Sequence, residues 1–294
     1  MTESIIVAIP NDAELAASIG KKGSENSITF YNRKASTIIT VLTPSNIEEK
    51  FYALPQCILM SDIVLLSTKK LDSTFGEALI ACELIGKEVV ITDDNDVSQY
   101  LSKMKLDSRI AEPQAVLDEI QKAKRETGTK KRVDIDKAFP VKGIGTVLLG
   151  IVRSGTIAKH DKLYHNDGKI VEVRSIQAQD DDKESIGPGT RAGLAVKGIE
   201  DSEVEKGDIL SEQRIERKND FAAEITVSPQ LKGYSAEGFD GLLVCGFASA
   251  QARITKEGDA YKIHLEKSLP LEKGDTFLLV RNAKPRICAS GKVS

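Results

Sequence analysis

The chain has 294 residues, with 41 Lys and Arg against 44 Asp and Glu, 40% hydrophobic residues and 29% charged ones. That length allows two or three domains with cores of their own, and the apolar content excludes disorder as the dominant state. No apolar run reaches the ~18–20 residues of a spanning helix, and MTESIIVAIPNDAE has neither a basic n-region nor a small-residue cleavage site. The expected setting is cytoplasmic, away from membranes. Cys57, Cys82, Cys245 and Cys288 are scattered, with no C-x-x-C pair and no histidine at ligand spacing. Neither a metal site nor a disulfide framework is expected, and the cysteines read as small buried apolar residues. His160, His165 and His264 are equally isolated and read as surface or satisfied core histidines.

Over the first ~125 residues strand and helix patterns alternate, which predicts a parallel sheet with crossover helices. Residues 5–9, 38–42, 63–67 and 89–92 are buried-strand runs, and 46–59, 74–85 and 113–124 are amphipathic. Asn11 and Glu14 have capping-box spacing before a short helix that Gly20 closes as its C′ residue. KAKRETGTKKRV (122–133) holds six basic side chains and one acidic one, and reads as a solvated tether. Beyond it no helix is predicted. Short β-branched segments punctuated by glycines indicate a barrel or sandwich, and a second such block runs from Phe221 onward, set off by the polar stretch 212–220. Residues 180–184 (DDDKE) read as a solvated acidic hairpin tip.

The expected architecture is therefore an α/β domain over residues 1–125 followed by two all-β barrels, 126–216 and 217–294. Their net charges are −4, −2 and +3. Nucleic-acid binding favours a clear basic face, and only the tether and the last block lean that way.

The middle block carries a recognisable pattern. GIGTVLLGIVRSGTI (143–157), VRSIQ (173–177), GPGTRAGLAVKGI (187–199) and KGDIL (206–210) occur in order over ~70 residues. Together they resemble domain 2 of the translational GTPases, in which glycines serve tight turns and close strand crossings. LPLEKGDTFLLVR (269–281), continuing through Arg286 to Gly291–Val293, resembles domain 3 of the same family, and the selenocysteine-specific (SelB-like) factors resemble the chain more than elongation factor Tu does. The resemblance implies that the first domain is P-loop GTPase-like, but its nucleotide motifs are degenerate. Gly20-Lys21 is the only trace of a phosphate loop, with Leu15 in place of the first glycine and Lys22 in place of Ser or Thr. LTPS (42–45) stands for the switch motif and keeps Thr43 and Pro44. DDND (93–96) stands for the guanine-reading Asn-Lys-x-Asp: Asp93 and Asp96 remain, and Asp94 replaces the lysine. Exchanging that cation for an anion near a polyphosphate costs ~1–4 kcal/mol. No arginine finger or switch glutamine is identifiable. The expectation is no GTP binding of physiological strength, no hydrolysis and no cofactor.

Carried over residue by residue, the aminoacyl pocket of the family falls on Asp136, Lys137, Phe139 and Leu149, with Lys137 where a second acid is usual. Lys130, Lys131, Arg132, Arg281, Lys284, Arg286 and Lys292 are the candidate RNA contacts. Three functions follow from the resemblance. The first is an elongation factor-like binding module for tRNA, the ribosome or a translation factor, with no role for DNA. The second is an atypical but active GTPase that delivers a specialised aminoacyl-tRNA. The third is a scaffold without RNA affinity.

Overall fold

The computed structural model describes residues 3–92, 95–125, 128–258 and 260–294. The N-terminal domain comprises β1 (Ser4–Ala8), α1 (Ala13–Ile19), β2 (Lys21–Glu25), β3 (Ile28–Arg33), β4 (Ile38–Pro44), α2 (Ala53–Met60), β5 (Ile63–Ser67), α3 (Ser73–Ile85), β6 (Val89–Thr92), α4 (Ser98–Leu101), β7 (Ser108–Ala111) and α5 (Val116–Gln121). Its sheet runs β2-β3-β4-β1-β5-β6-β7. The five strands from β4 to β7 are parallel, whereas β3 and β2 form an antiparallel edge. All residues of β1, β5 and β6 are buried, as expected where helices cover both faces. Alternation along β1 sends Ile6 and Ala8 into the α2 and α3 layer, and Ile5 and Val7 toward α1 and α5.

The expected parallel sheet is present over β4 to β7, and residues 21–33 add to it an antiparallel hairpin that the alternating pattern does not announce. Four smaller expectations need correction. Residues 46–52 are turns, so the second helix is only α2, and the last helix shrinks to α5. The cap of α1 is Asp12, whose side chain accepts from the Leu15 amide at 2.8 Å, because Asn11 is engaged elsewhere. Gly20 does follow the helix, but at φ −146° it is extended, not left-handed. It is glycine for space: a Cβ there would lie 3.0 Å from the Asn32 backbone.

The second body contains β8 (Arg132–Val141), β9 (Gly145–Ser154), β10 (Ile157–Ala158), β11 (Lys162–His165), β12 (Ile170–Ala178), β13 (Asp181–Lys183), β14 (Ser185–Ile186), β15 (Arg191–Lys197) and β16 (Ile209–Ser211). Six strands, β11-β16-β8-β9-β15-β12, close into a barrel through the β11–β12 pairing. The third body is a closed six-stranded barrel, β17-β20-β19-β18-β21-β22. Its strands are β17 (Arg217–Val227), β18 (Asp240–Cys245), β19 (Ala248–Glu257), β20 (Ala260–Pro270), β21 (Thr276–Val280) and β22 (Ile287–Val293). Closure leaves neither barrel with a free edge. All four cysteines are buried and unpaired.

The three bodies share one interior. The cluster around α2 and α3 takes in Ile151 of β9 and Val244, Phe247, Leu278 and Ile287 of the last barrel. Every residue of α2 is buried, with Pro55 in the first turn, where its missing N–H leaves no bond unmade. Glu77 of α3 accepts from the backbone amides of Arg286 (2.5 Å) and Ile287 (2.9 Å).

The basic run is not a free tether. Arg125 holds Asp62 through two bonds, one of them 2.6 Å from Nε, and Asp62 also accepts from the Ile6 amide at 2.7 Å. Lys131 pairs with Asp161 at 2.6 Å. Arg132 lies in β8 and joins Asp134 (2.8 Å) to Asp275 of the last barrel (2.7 Å). The acidic tip is likewise docked, since Asp181 pairs with Lys34 at 2.5 Å and Gln179 donates to Asn32 at 3.2 Å.

His165 is a core histidine, 3.0 Å from Asp208 and 2.9 Å from Asp167, and Arg217 bonds Asp208 from the last barrel. Burial pulls the imidazole pKa down, but the two carboxylates outweigh it and the net shift is upward. A raised folded pKa gives stability that is complete below the unfolded value of ~6.5 and is lost as pH rises through the folded one. The thermal midpoint should therefore fall between pH 6 and pH 9, and His165→Gln should flatten that dependence, as followed by circular dichroism.

Candidate functional site

In parallel α/β sheets, ligands collect beyond the carboxyl ends of the strands. Here that edge is closed by side-chain amides. The Asn11 side chain spans Ser67, donating to its carbonyl (2.6 Å) and accepting from its N–H (3.2 Å). Asn95 likewise donates to the Thr68 carbonyl at 2.7 Å, while its own N–H donates to the Thr68 hydroxyl at 3.2 Å. The Thr68 amide returns to the Thr92 carbonyl at 2.9 Å. Between β1 and α1 there are four residues, 9–12, none of them glycine. Asp12 sets a carboxylate at the mouth of this connection, and Asp72 caps α3 in the same way after β5. These caps take the Leu15, Thr74 and Phe75 amides, and a carboxylate at a helix start disfavours phosphate there. The sequence offers Asn11 as a helix cap and Asn95 only as the free position of DDND, and it does not mark Thr68; their bridging role emerges only when the three strand ends are side by side.

The predicted remnants of a nucleotide site do not converge. Thr43, buried near the end of β4, and Asp96, which accepts from the Ser98 amide at 2.8 Å, lie on the carboxyl edge. Lys21 pairs with Asn32, which pairs with Thr40, itself opposite Ile6. That register puts Gly20 and Lys21 toward the amino edge of the sheet, one helix length away. Asp93 and Asp94 lie outside the described residues.

On the second barrel, Lys137 faces Leu149 and Phe139 faces Val147, so these four share one side of the β8–β9 ladder. The ammonium of Lys137 lies 5.7 Å from the Phe139 ring centre. Asp136 does not join them. It sits at a bulge between Ile135 and Lys137 and turns inward, where Arg191 donates to it at 2.7 Å. The Arg191 guanidinium also reaches Ser24 (2.9 Å) and lies 3.8 Å above the Phe30 ring. Nearby, Lys206 donates to Ser27 and Gln56, both at 2.7 Å, and burial lowers its pKa to about 8. Asp136, Arg191 and Lys206 thus clamp the barrel to the N-terminal domain. Arg191 and Lys206 both stand inside the glycine-bearing segments, and that is the sequence signal that could have singled them out.

Among the candidate RNA contacts, Lys131 and Arg132 are neutralised by the ion pairs above. Lys130, Lys284 and Lys292 are exposed. Arg281 and Arg286 flank the strand ends of β21 and β22. Arg281 donates to the Pro285 carbonyl at 2.9 Å, and Arg286 stacks 4.8 Å from the Phe51 ring. Two clefts of about 280 and 310 Å³ open on either side of the Phe51–Arg286 pair, the first reaching Tyr52 and Arg281, the second Glu77 and Lys284.

Residues 145–211 match the family model described as elongation factor Tu domain 2. The whole chain superposes on SelB from Methanococcus maripaludis in complex with the GTP analogue GppNHp, with a TM-score of 0.82 at 18% identity, over 99% of this chain and 79% of that one. The chain has the elongation factor Tu/SelB-like fold. A bacterial selenocysteine-specific elongation factor is similar to it over 99% of this chain and 58% of its own length, at 17% identity and a TM-score of 0.81. In sequence, the chain is 27% identical to elongation factor 1-alpha of Sulfurisphaera tokodaii over 55% of its length, and it spans 37% of that relative. It is also 29% identical to an uncharacterized protein of Methanocaldococcus jannaschii over 94% of both chains. Among the described residues no helix is long and apolar enough to cross a membrane.

Proposed function

We propose that this chain is a nucleotide-independent binding module of the translation machinery, a SelB-like body without a working GTP switch. One observation carries the reading. The connection after β1 has no glycine, and the Asp12 carboxylate stands at its helix start, taking the Leu15 amide, so the glycine-built cradle of N–H groups that a phosphate needs is missing there. The retained function belongs to the barrels. The Phe139, Leu149 and Val147 patch suits an apolar or aromatic aminoacyl group, and Arg281, Lys284 and Arg286 around the two clefts suit the phosphates of a tRNA end.

Two titrations test this. A fluorescent GTP analogue with Mg²⁺ should give no saturable signal up to ~100 μM, and micromolar binding would restore the switch reading. Filter binding should retain aminoacylated tRNA over deacylated tRNA, with an affinity that falls steeply as salt rises. Arg281→Ala with Arg286→Ala should weaken retention at least about tenfold. Equal indifference to both tRNA forms would instead favour the scaffold reading.

A further inference from the structure

A cavity of about 520 Å³ opens where all three bodies meet, at the edge of the sheet opposite Asn11 and Thr68. The N-terminal domain supplies Ser61 and Asp62 before β5, the turn between α3 and β6, and Lys124 and Arg125 after α5; the barrels supply Arg153 of β9 and Thr276 of β21. Gly86, at φ +65°, ends α3 in the left-handed conformation, and the Lys87 amide bonds back to the Cys82 carbonyl at 2.9 Å. This helix ending fixes the path of the turn and delivers Lys87 to the cavity wall.

The charges on that wall do not balance. Asp62 is spent on Arg125 and on the Ile6 amide. Glu88 is paired with Arg109, outside the cavity. Arg153 donates to the Met60 carbonyl at 3.2 Å, and its nearest carboxylate, Asp134 at 4.0 Å, already holds Arg132. The Lys87 ammonium donates to the Ser61 carbonyl at 2.5 Å, and among the described residues it has no ion-pair partner; Lys124 has none either. Burial drives the Lys87 pKa down to about 8, and the neighbouring Arg153 adds to that. Three cationic heads thus line one recess without an uncommitted carboxylate. Gathering like charges in a half-buried recess costs free energy that a bound anion would return.

We propose that this junction is a binding site for a small phosphorylated ligand, held by Lys87, Lys124 and Arg153. A guanidinium fork and two ammonium groups suit tetrahedral phosphate oxygens, and the volume exceeds that of a single phosphate group, so the ligand carries more than one phosphate or a phosphate on a small organic body. The site lies on the far edge of the sheet from the closed nucleotide edge, and its existence does not depend on the tRNA reading.

The probe is inorganic pyrophosphate, titrated calorimetrically into the full chain without Mg²⁺. Saturable binding at or below ~100 μM is expected, weakened about tenfold or more by Lys87→Gln and about threefold by Lys124→Ala. Without ligand, both variants should melt at or above the parent temperature, because each removes an uncompensated cation, so a folding defect is separable from lost binding. Pyrophosphate should raise the melting temperature of the parent and leave Lys87→Gln unmoved. Absence of binding, equal binding by Lys87→Gln, or the same response to sodium chloride at matched ionic strength would overturn the proposal. A Lys87-dependent loss of tRNA retention without any pyrophosphate response would also overturn it, by making the recess part of an RNA contact.

Discussion

Replacing Arg191 with methionine is expected to destabilise the chain by about 3–5 kcal/mol, because it strands a carboxylate in the interior. The side chains of Asp136 and Arg191 are 7% and 8% exposed. Burial already pushes the Asp136 pKa up, and Arg191 is the main influence pulling it back. Without the guanidinium, Asp136 must take up a proton or draw in water, and the Phe30 ring and the Ser24 hydroxyl lose their partner as well. The first urea transition should shift to lower concentration, and the deficit should shrink as pH falls, since a protonated Asp136 is cheaper to bury. Adding Asp136→Asn should recover a good part of the loss. An unchanged midpoint in the single variant would mean that the clamp contributes nothing to docking.

Gly207→Ala is the second large effect. Gly207 has φ +93°, and a Cβ there would lie 2.5 Å from the Ala248 backbone on the third body. Left-handed backbone alone costs a residue with a side chain roughly 1–2 kcal/mol, and the contact with main-chain atoms cannot be relieved by a rotamer change. The two barrels must separate locally, which also disturbs Lys206 and Asp208 on either side and their bonds to Gln56 and Arg217. We expect a loss of at least ~2 kcal/mol, read as a lower melting temperature together with faster proteolysis between β16 and β17. Gly143→Ala is the control: it also has positive φ, but its Cβ meets nothing within 4 Å.

What the sequence reveals follows from how far apart the cooperating residues are. The strands of the α/β domain stand out because β1, β5 and β6 are continuous apolar runs that must be covered on both faces. The second barrel stands out because its glycines repeat a known order, and Gly207 shows why one of them is needed. The β2–β3 hairpin escapes notice because KKGSENSITF mixes exposed polar residues with only one buried edge. Arg125 and Arg132 look like tether residues because the acids that dock them onto other parts of the molecule, Asp62 and Asp275, are 63 and 143 positions away. Asp136 looks like a pocket acid until a bulge, which no composition reveals, turns it inward. The side-chain zipper of Asn11 and Asn95 is invisible for the same reason: each asparagine serves a backbone on another strand.

Glu77 has one more consequence. A carboxylate on a helix of the first body that receives two backbone amides from the third acts as a rivet between them. Under the proposed switchless function, that rivet would hold one contour toward whatever lands on it. Cargo would then leave by its own escape rate or by competition, and the timing that hydrolysis gives a switch would have to come from elsewhere in the assembly.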